Sequence, residues 1–297
     1  MFAAMPQKHE RSDSHYPRDL YPINEIAALF HQKREKMNQT IEIINQRRST
    51  RAFSDQPIPQ DLKDVIFRAA FRAPTAGNMM LYSIIEVEDQ QIKERLVETC
   101  DSQPFIAKSP LVLVFLADYQ RWWDYYQLCD APARAIELGR QPRLPQAGDL
   151  LLACCDALIA AQNAAIAAES LGIHSCYIGD IMENYEQHRQ IFNLPQFVFP
   201  IAMLCFGFPK HAHENRHVTP RFASEFIAFK DCYHQLNPTE LTEMFAPYEE
   251  SFKSKGQPAS AALNFGQHNY LRKFTAEFSV EMSRSVMAML KNWQGVA

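Results

Sequence analysis

The stretch DLLLACCDALIAAQNAAIAAESLGIHSCYIGD occupies residues 149–180 and carries the strongest structural signal of the chain. From Asp149 to Leu171 almost every residue is apolar and many are alanine, which is typical of a buried helix. Alanine side chains let a neighbouring helix approach closely, so we predict a central helix that also suits a subunit interface. Gly172 is a good C-terminal stop for this helix. Residues 175–180 then predict a short strand that ends in a glycine turn.

The composition is that of an ordinary globular protein. The chain has 297 residues, of which 47% are apolar and 22% charged, enough for one large α/β domain or two smaller domains. The net charge of −4 offers no general attraction to nucleic acid. We expect no membrane partner, and the polar N-terminus does not resemble a secretory signal. Seven cysteines without a CxxC pair indicate reduced thiols in a cytoplasmic protein.

Hydrophobic patterns predict both helices and strands in the rest of the chain. Strands are predicted at 83–87, 111–117, 175–180 and 199–206, and helices at 59–72, 91–99, 149–171, 181–192 and 269–293. The continuous apolar run at 111–117 is typical of a strand buried on both faces. Asp180 is a candidate N-cap of the helix that follows it. In the last helix one apolar stripe is predicted to cover either its own core or a partner subunit, and it is formed by Tyr270, Phe274, Phe278, Met282, Val286 and Leu290.

The segment RRSTRAF at 47–53 places three arginines and two hydroxyl groups close together. In an extended backbone Arg47, Ser49 and Arg51 share one face, and Arg48 and Thr50 share the other. Two guanidinium groups and a hydroxyl on one face form a site for a phosphate. The alternative is a solvated basic turn between two helices.

Three further segments each allow two interpretations. Residues 74–80 contain Gly77 and Asn78, which tolerate positive φ, so they form either a loop that approaches a flat ligand or a plain connection. Residues 119–148 carry a cluster of Trp and Tyr, and form either a wall over a site or an excursion that packs its aromatic rings on the body. Residues 210–221 are rich in histidine and arginine. Their spacing disfavours a metal site and fits contact with phosphate or solvent.

Four segments, in order along the chain, resemble motifs of the FMN-dependent nitroreductase family. Within that family the likeness is to NADPH-dependent oxygen-insensitive nitroreductases and flavin reductases. The segments are RRSTRAF at 47–53, APTAGN at 73–78, DALIAAQNAAIAAESLGIHSCYIGD at 156–180, and GFPK at 207–210 followed by TPR at 219–221. The resemblance extends from about Met37 to Trp293.

This resemblance implies an α+β fold, namely a nitroreductase-like three-layer α/β/α arrangement. A mainly antiparallel central sheet, a long buried central helix and a swapped C-terminal extension belong to it. Residues 37–297 would then form the FMN-binding domain, which includes the excursion at 119–148 and a dimer-wrapping tail. Residues 1–36 would be an N-terminal extension.

The resemblance also implies that FMN lies at the interface of a homodimer and contacts both chains. The matching cofactor-binding positions are Arg47, Arg48, Ser49, Arg51, Thr75, Gly77, Asn78, Met80, Gln103, Phe105, Tyr177, Ile178, Gly179, Asp180, Lys210 and Arg221. The arginine segment would bind the phosphate together with Arg221, and residues 75–78 would come from the other subunit. Residues 177–180 would lie along the isoalloxazine ring. Met80 and Asp180 stand where many relatives have glutamine and glycine.

The implied reaction is a ping-pong transfer in which NADPH or NADH reduces the flavin and a small acceptor then oxidises it. Nitroaromatics, quinones and free flavins are the acceptor classes. Because the cofactor performs the chemistry, we expect no catalytic side chain and no metal. Two alternatives stay open at this point. One is a flavin-dependent dehalogenase or other specialised chemistry on the same fold, and the other is a non-enzymatic module that binds anions or flavin.

Overall fold

The computed structural model describes residues 38–211, 220–254 and 261–295. The chain divides into two compact units, one up to Asn45 and one from Gln46 onward, and every candidate site residue belongs to the second. The predicted extension at 1–36 lies outside the described residues. So do His213, Arg216, His217 and Thr219 of the basic segment.

The described residues form ten α-helices, four short helical turns and four strands. The helices are α1 Gln39–Gln46, α2 Gln60–Phe71, α3 Gln90–Thr99, α4 Gln120–Leu128, α5 Ala131–Glu137, α6 Ala147–Ser170, α7 Tyr185–Ile191, α8 Pro238–Ser254, α9 Phe265–Asn269 and α10 Glu277–Gln294. Turns of 3₁₀-helix cover Ala76–Asn78, Gly179–Met182 and Ser224–Phe226, and a π-helical turn covers Tyr270–Phe274. The strands are β1 Tyr82–Glu86, β2 Leu111–Asp118, β3 His174–Ile178 and β4 Val198–Gly207. They form one antiparallel sheet in the order β1-β2-β4-β3, which confirms the predicted strands.

Both faces of the sheet are covered by helices. Strand β2 is buried along its whole length, as its apolar run predicted. Leu113 and Phe115 belong to the core shared with α2 and α6, whereas Val112 and Val114 belong to the core shared with α3. Because side chains of a strand alternate between faces, one strand supplies both cores. The prediction of a three-layer α+β fold is confirmed.

Helix α6 is the central helix, and it packs through alanine. Its buried face consists mainly of Ala153, Ala157, Ala160, Ala161, Ala164, Ala165 and Ala168. The opposite face of the single chain carries Leu151 and Leu158, which are 67% and 43% exposed. By length and composition the helix could cross a membrane, but 44% of its most apolar window is buried inside the protein, as in a core helix. The predicted burial therefore holds for one face of the helix.

The predicted last helix over 269–293 is not continuous, and this part of the prediction is wrong. The π-helical turn ends at Phe274, and the backbone of Ala276 is extended before α10 begins. This break changes which residues of the helix face the core. The buried line of α10 is Ser285, Met289 and Trp293, while the expected stripe residues Tyr270 and Phe274 are 54% and 71% exposed.

Helix α10 packs on its own subunit. Trp293 is 1% exposed, and its ring centroid lies 5.5 Å from that of Phe197 in an edge-on arrangement. Arg284 donates to both carboxylate oxygens of Glu186 at 2.8 and 2.7 Å, which ties α10 to α7. Helix α10 thus makes these contacts within its own chain, and the swapped arrangement expected for the C-terminal extension stays a prediction.

We expect Trp293→Ala to lower the free energy of unfolding by about 3–5 kcal/mol, because it removes a large buried ring and leaves a cavity. Chemical denaturation of this variant and of Lys291→Ala, an exposed position in the same helix, provides the measurement. Equal unfolding free energies for both variants would contradict the packing of α10 on its own subunit.

Candidate functional site

The arginine segment lies as an extended edge beside β3 and the end of β4. The Thr50 N–H donates to the Ser175 carbonyl at 3.0 Å, and the Lys210 N–H donates to the Ala52 carbonyl at 3.0 Å. Thr50 points inward with 3% exposure, and Ser49 and Arg51 are exposed. The alternation expected of an extended backbone is thus present where the segment meets the sheet.

A glycine permits the close approach of this segment to the sheet. A Cβ atom at Gly207 would lie 2.7 Å from the ring of Phe53, a distance that real Cβ contacts do not reach. Phe53 also pairs with Pro209 in an isolated antiparallel bridge. The GFPK segment therefore supports the arginine segment through backbone contacts, and this places Lys210 next to it.

Arg47 holds a donor that has no hydrogen-bond partner among the residues that the structure describes. The side chain is half-buried, and its Nη1 atom is buried without a hydrogen bond. An unsatisfied buried donor costs free energy, more so when it is charged. The guanidinium of Arg47, with the exposed Ser49 hydroxyl and Arg51 nearby in the chain, therefore fits an anionic ligand such as a phosphate.

An aromatic ring and an amide connect the arginine segment to the glycine turn. The guanidinium carbon of Arg51 lies 6.0 Å from the centroid of the Phe105 ring, and the Phe53 ring lies 6.5 Å from the same ring. The Gln103 Nε2 donates to Asp180 Oδ2 at 2.8 Å. Residues from three separate segments, including 103–105 and 177–180, are thus brought to one side of the sheet.

The prediction that Asp180 is an N-cap is wrong. After β3 the chain forms the 3₁₀ turn Gly179–Met182, and α7 begins only at Tyr185, after Asn184 in the left-handed conformation. The Asp180 carboxylate instead accepts from Gln103. In β3, just before this turn, the Tyr177 hydroxyl donates to Gln162 of α6 at 3.3 Å, and burial raises the pKa of Tyr177 to about 12.

The loop before β1 is positioned by a buried carboxylate of α6. Asp156 is 2% exposed and accepts the Ala76 and Leu81 N–H groups at 3.0 and 3.1 Å. Gly77 has φ of 55°, Asn78 of 57° and Met80 of 50°. The positive φ expected at Gly77 and Asn78 is therefore present. At Met80 it was not expected, and there the N–H donates to Thr75 Oγ1 at 3.3 Å.

The excursion at 119–148 braces the same loop. The Trp122 Nε1 donates to the Met79 carbonyl at 2.7 Å, and Arg121 donates to the Met80 and Tyr82 carbonyls, both at 2.8 Å. Tyr125 lines an open groove of about 590 Å³ beside this loop. The packing of Trp122 and Trp123 on the body fits the second interpretation, and a wall over a site stays a prediction.

The expected cofactor-binding residues form two groups in one chain. The first group surrounds the arginine segment and β3, and contains Arg47, Arg48, Ser49, Arg51, Gln103, Phe105, Tyr177, Ile178, Gly179, Asp180 and Lys210. The second group precedes β1 and contains Thr75, Gly77, Asn78 and Met80. Strands β1 and β3 are at opposite edges of the sheet, three strand spacings or about 14 Å apart. Arg221 follows residues 212–219, which lie outside the described residues. Its guanidinium donates to the Pro220 carbonyl at 3.4 Å.

Sequence reasoning missed the acidic residues that organise the site. Asp156 and Glu169 lie within the apolar helix α6, and Glu183 is 4% exposed after the 3₁₀ turn. A carboxylate inside an otherwise apolar helix needs donors once it is buried. That signal was present in the sequence for Asp156 and Glu169. No local pattern distinguishes Glu183.

Glu183 gives the stability of the protein a pH dependence of known sign. Burial, followed by the nearby Asp180 carboxylate, raises the pKa of Glu183 to about 8. The folded state therefore retains a proton that the unfolded state has released above its ordinary pKa, and stability falls as pH rises towards 8.

We expect Glu183→Gln, which imitates the protonated acid, to lose less stability than the wild type between pH 6 and pH 9. The difference in melting temperature between variant and wild type should grow with pH in this window, because only the wild type must bury a charge or keep a proton. Thermal unfolding at several pH values measures it, with the exposed Glu94→Gln as control. Parallel pH profiles for wild type and Glu183→Gln would refute this assignment.

The fold and the basic, aromatic-flanked edge segment define a class of α+β proteins with an antiparallel sheet between helical layers. The sequence profile of the nitroreductase family matches residues 44–208, more than half of the chain, and the chain belongs to that family. An oxygen-insensitive NADPH nitroreductase of Salmonella typhimurium is 31% identical over 220 residues, covering 74% of this chain and 85% of the relative. An FMN reductase [NAD(P)H] of Bacillus subtilis is 31% identical over 214 residues, covering 72% and 81%. The solved structure of B. megaterium NfrA2 superposes with a TM-score of 0.73 at 26% identity, covering 87% of this chain and 98% of that chain.

Proposed function

We propose that the protein is an FMN-dependent NAD(P)H oxidoreductase that reduces small acceptors such as nitroaromatics, quinones or flavins. The names of the Salmonella and Bacillus relatives support this reaction class. The observation that carries the proposal is the unpartnered, buried Nη1 of Arg47 at an exposed edge segment. Such a donor suits the phosphate of the cofactor.

The residues around the arginine segment have distinct roles in this proposal. Arg47, Ser49 and Arg51 would hold the phosphate, with Arg48, Lys210 and Arg221 as further cations. Phe105 and the turn 177–180 would line the flavin ring. Bound FMN supplies the transfer of a hydride from the nicotinamide and then to the acceptor. The protein binds and orients the reactants, and no side chain is required as acid or base.

A homodimer is part of the proposal because the two groups of site residues lie at opposite edges of one sheet. A flavin ring cannot easily contact both groups within one chain at that separation. A second copy would bring residues 75–80 to the first group. The exposed leucine face of α6 supports this arrangement, since large exposed apolar surfaces mark interaction sites.

In this proposal, the tail that wraps the partner subunit is the part of the chain that precedes α10. Helix α8 has no buried residue, and its Phe245 and Tyr248 pack on Phe222 and Phe265 of the neighbouring segments. Phe274, in the π-helical turn that follows α9, is 71% exposed in the single chain. These aromatic side chains supply an arm that a partner subunit would cover.

The seven cysteines are free thiols, which supports a reducing compartment such as the cytoplasm. The alternatives of a dehalogenase on the same fold or a non-enzymatic binding module are not favoured by the names of the relatives. An absorbance spectrum tests the proposal directly. The purified protein should be yellow and should bleach when NADPH or NADH is added without oxygen. A protein that never binds FMN would overturn the proposal.

We expect Arg51→Ala to weaken FMN binding about ten- to a hundredfold, or about 1.4–3 kcal/mol, because a charge-assisted contact to phosphate is lost. Titration of flavin-free protein with FMN measures the dissociation constant. Arg95→Ala, which removes an exposed guanidinium on α3, should bind FMN as the wild type does. An unchanged constant for Arg51→Ala would remove this residue from the site.

Leu151→Glu should weaken the proposed dimer, because it places a charge on the exposed face of α6 that the partner would bury. Flavin content should then fall on dilution, as mass action requires. Sedimentation and flavin absorbance over a dilution series measure both quantities. Leu128→Glu changes a 79% exposed leucine of α4 and is the matched control. A Leu151→Glu protein that stays dimeric and yellow at the lowest concentration would exclude α6 from the interface.

A further inference from the structure

Glu169 is a buried acid directly behind the arginine segment. Its side chain is 8% exposed, it lies in the last turn of α6, and its Oε1 atom has no hydrogen-bond partner in the described part of the chain. A carboxylate at a helix C-terminus also meets the negative end of the helix dipole. Neither packing nor a complete hydrogen-bond set explains an acid at this position.

Charged groups face Glu169 from both elements packed against it. Arg47 and Arg48 favour its ionised form from the arginine segment. From β3, His174 Nε2 lies 4.0 Å from its Oε2, and the Ser175 backbone N–H also favours the ionised carboxylate. Arg47 is not within ion-pair distance, and its Nη1 is as unpartnered as the Glu169 oxygen. The two side chains thus carry opposite charges, and each holds a buried atom without a hydrogen-bond partner among the described residues.

We propose that Glu169 is a positioning residue for Arg47, and that binding of a phosphate monoester at the arginine segment is accompanied by uptake of a proton on Glu169. The inference rests on the proposed function, because the phosphate in question is that of FMN. Before binding, the carboxylate acts as a counter-charge to Arg47. A phosphate dianion that binds Arg47 becomes its counter-charge instead. Protonation of Glu169 then removes the repulsion between the phosphate and the carboxylate.

The direction of the pH dependence follows from this competition. Burial raises the pKa of Glu169 to about 7, and the charge of Arg47 opposes that rise. A bound phosphate partly neutralises the charge of Arg47, so the pKa of Glu169 rises further. Because the pKa of Glu169 is then higher in the FMN complex than in the free protein, FMN affinity falls as pH rises from the lower to the higher of these two pKa values. A rise of about one unit would weaken FMN binding about five- to tenfold between pH 6.5 and pH 8.5.

The test is calorimetric titration of the full chain, freed of flavin, with FMN in HEPES and in Tris at several pH values. Two buffers with different ionisation enthalpies give the number of protons taken up. At pH 7.5 the wild type should take up about half a proton per FMN. Glu169→Gln should take up none and should bind FMN with little change from pH 6.5 to pH 8.5, where the phosphate is already largely a dianion because its second pKa is about 6.

Two controls separate the possible sources of the proton. Glu98→Gln removes an exposed carboxylate and should behave as the wild type does. Riboflavin carries the same ring without the phosphate and should bind without proton uptake. Because the pH series on the wild type needs no substitution, the prediction stands even if Glu169→Gln folds poorly, which thermal unfolding would reveal.

Each outcome bears on the inference. Proton uptake that disappears in Glu169→Gln and with riboflavin supports it. The same uptake and pH profile in wild type and Glu169→Gln would assign the proton elsewhere and overturn it, while FMN binding itself would leave the proposed function intact. Equal uptake with riboflavin would also overturn it. If no protein binds FMN at any pH, the proposed function fails together with the inference.

Discussion

The packing of one alanine face against a sheet is the contact on which the rest of the structure depends. Helix α6 lies on β2, β4 and α2 through residues that carry only a methyl group, so its backbone can approach these elements closely. A larger side chain at any of these positions would push the helix away, because protein interiors leave few voids to absorb extra volume. The position of α6 then determines where its few polar side chains reach.

Those polar side chains of α6 organise the surrounding loops. Asp156 orients the loop before β1, Asn163 donates to the Ala69 carbonyl at 3.1 Å, and Gln162 accepts from Tyr177. Glu169 contacts the start of β3 behind the arginine segment. A buried polar group is tolerated only where it finds partners. The helix that holds the fold together is therefore also the element that positions the candidate site.

The order of strands divides the candidate site in a way that local sequence could not show. Residues that belong to one expected flavin site end up at opposite edges of the sheet, because β1 and β3 are its two outer strands. The same chain leaves a leucine face of α6 and Phe274 of the aromatic arm exposed. These features are consistent with one another if two copies share each site, and that consistency supports the proposed homodimer.

The sequence by itself determined the elements with strong local patterns. The apolar run of β2, the alanine-rich α6 with its stop at Gly172, and the positive φ at Gly77 and Asn78 were all predictable, because each depends on neighbours in the chain. The motifs also identified the family. Only the tertiary structure decided the start of α7, the break before α10 and the roles of Asp156, Glu169 and Glu183. These depend on partners far along the chain, such as Gln103 for Asp180 and Phe197 for Trp293, and such contacts leave no periodic trace in the sequence.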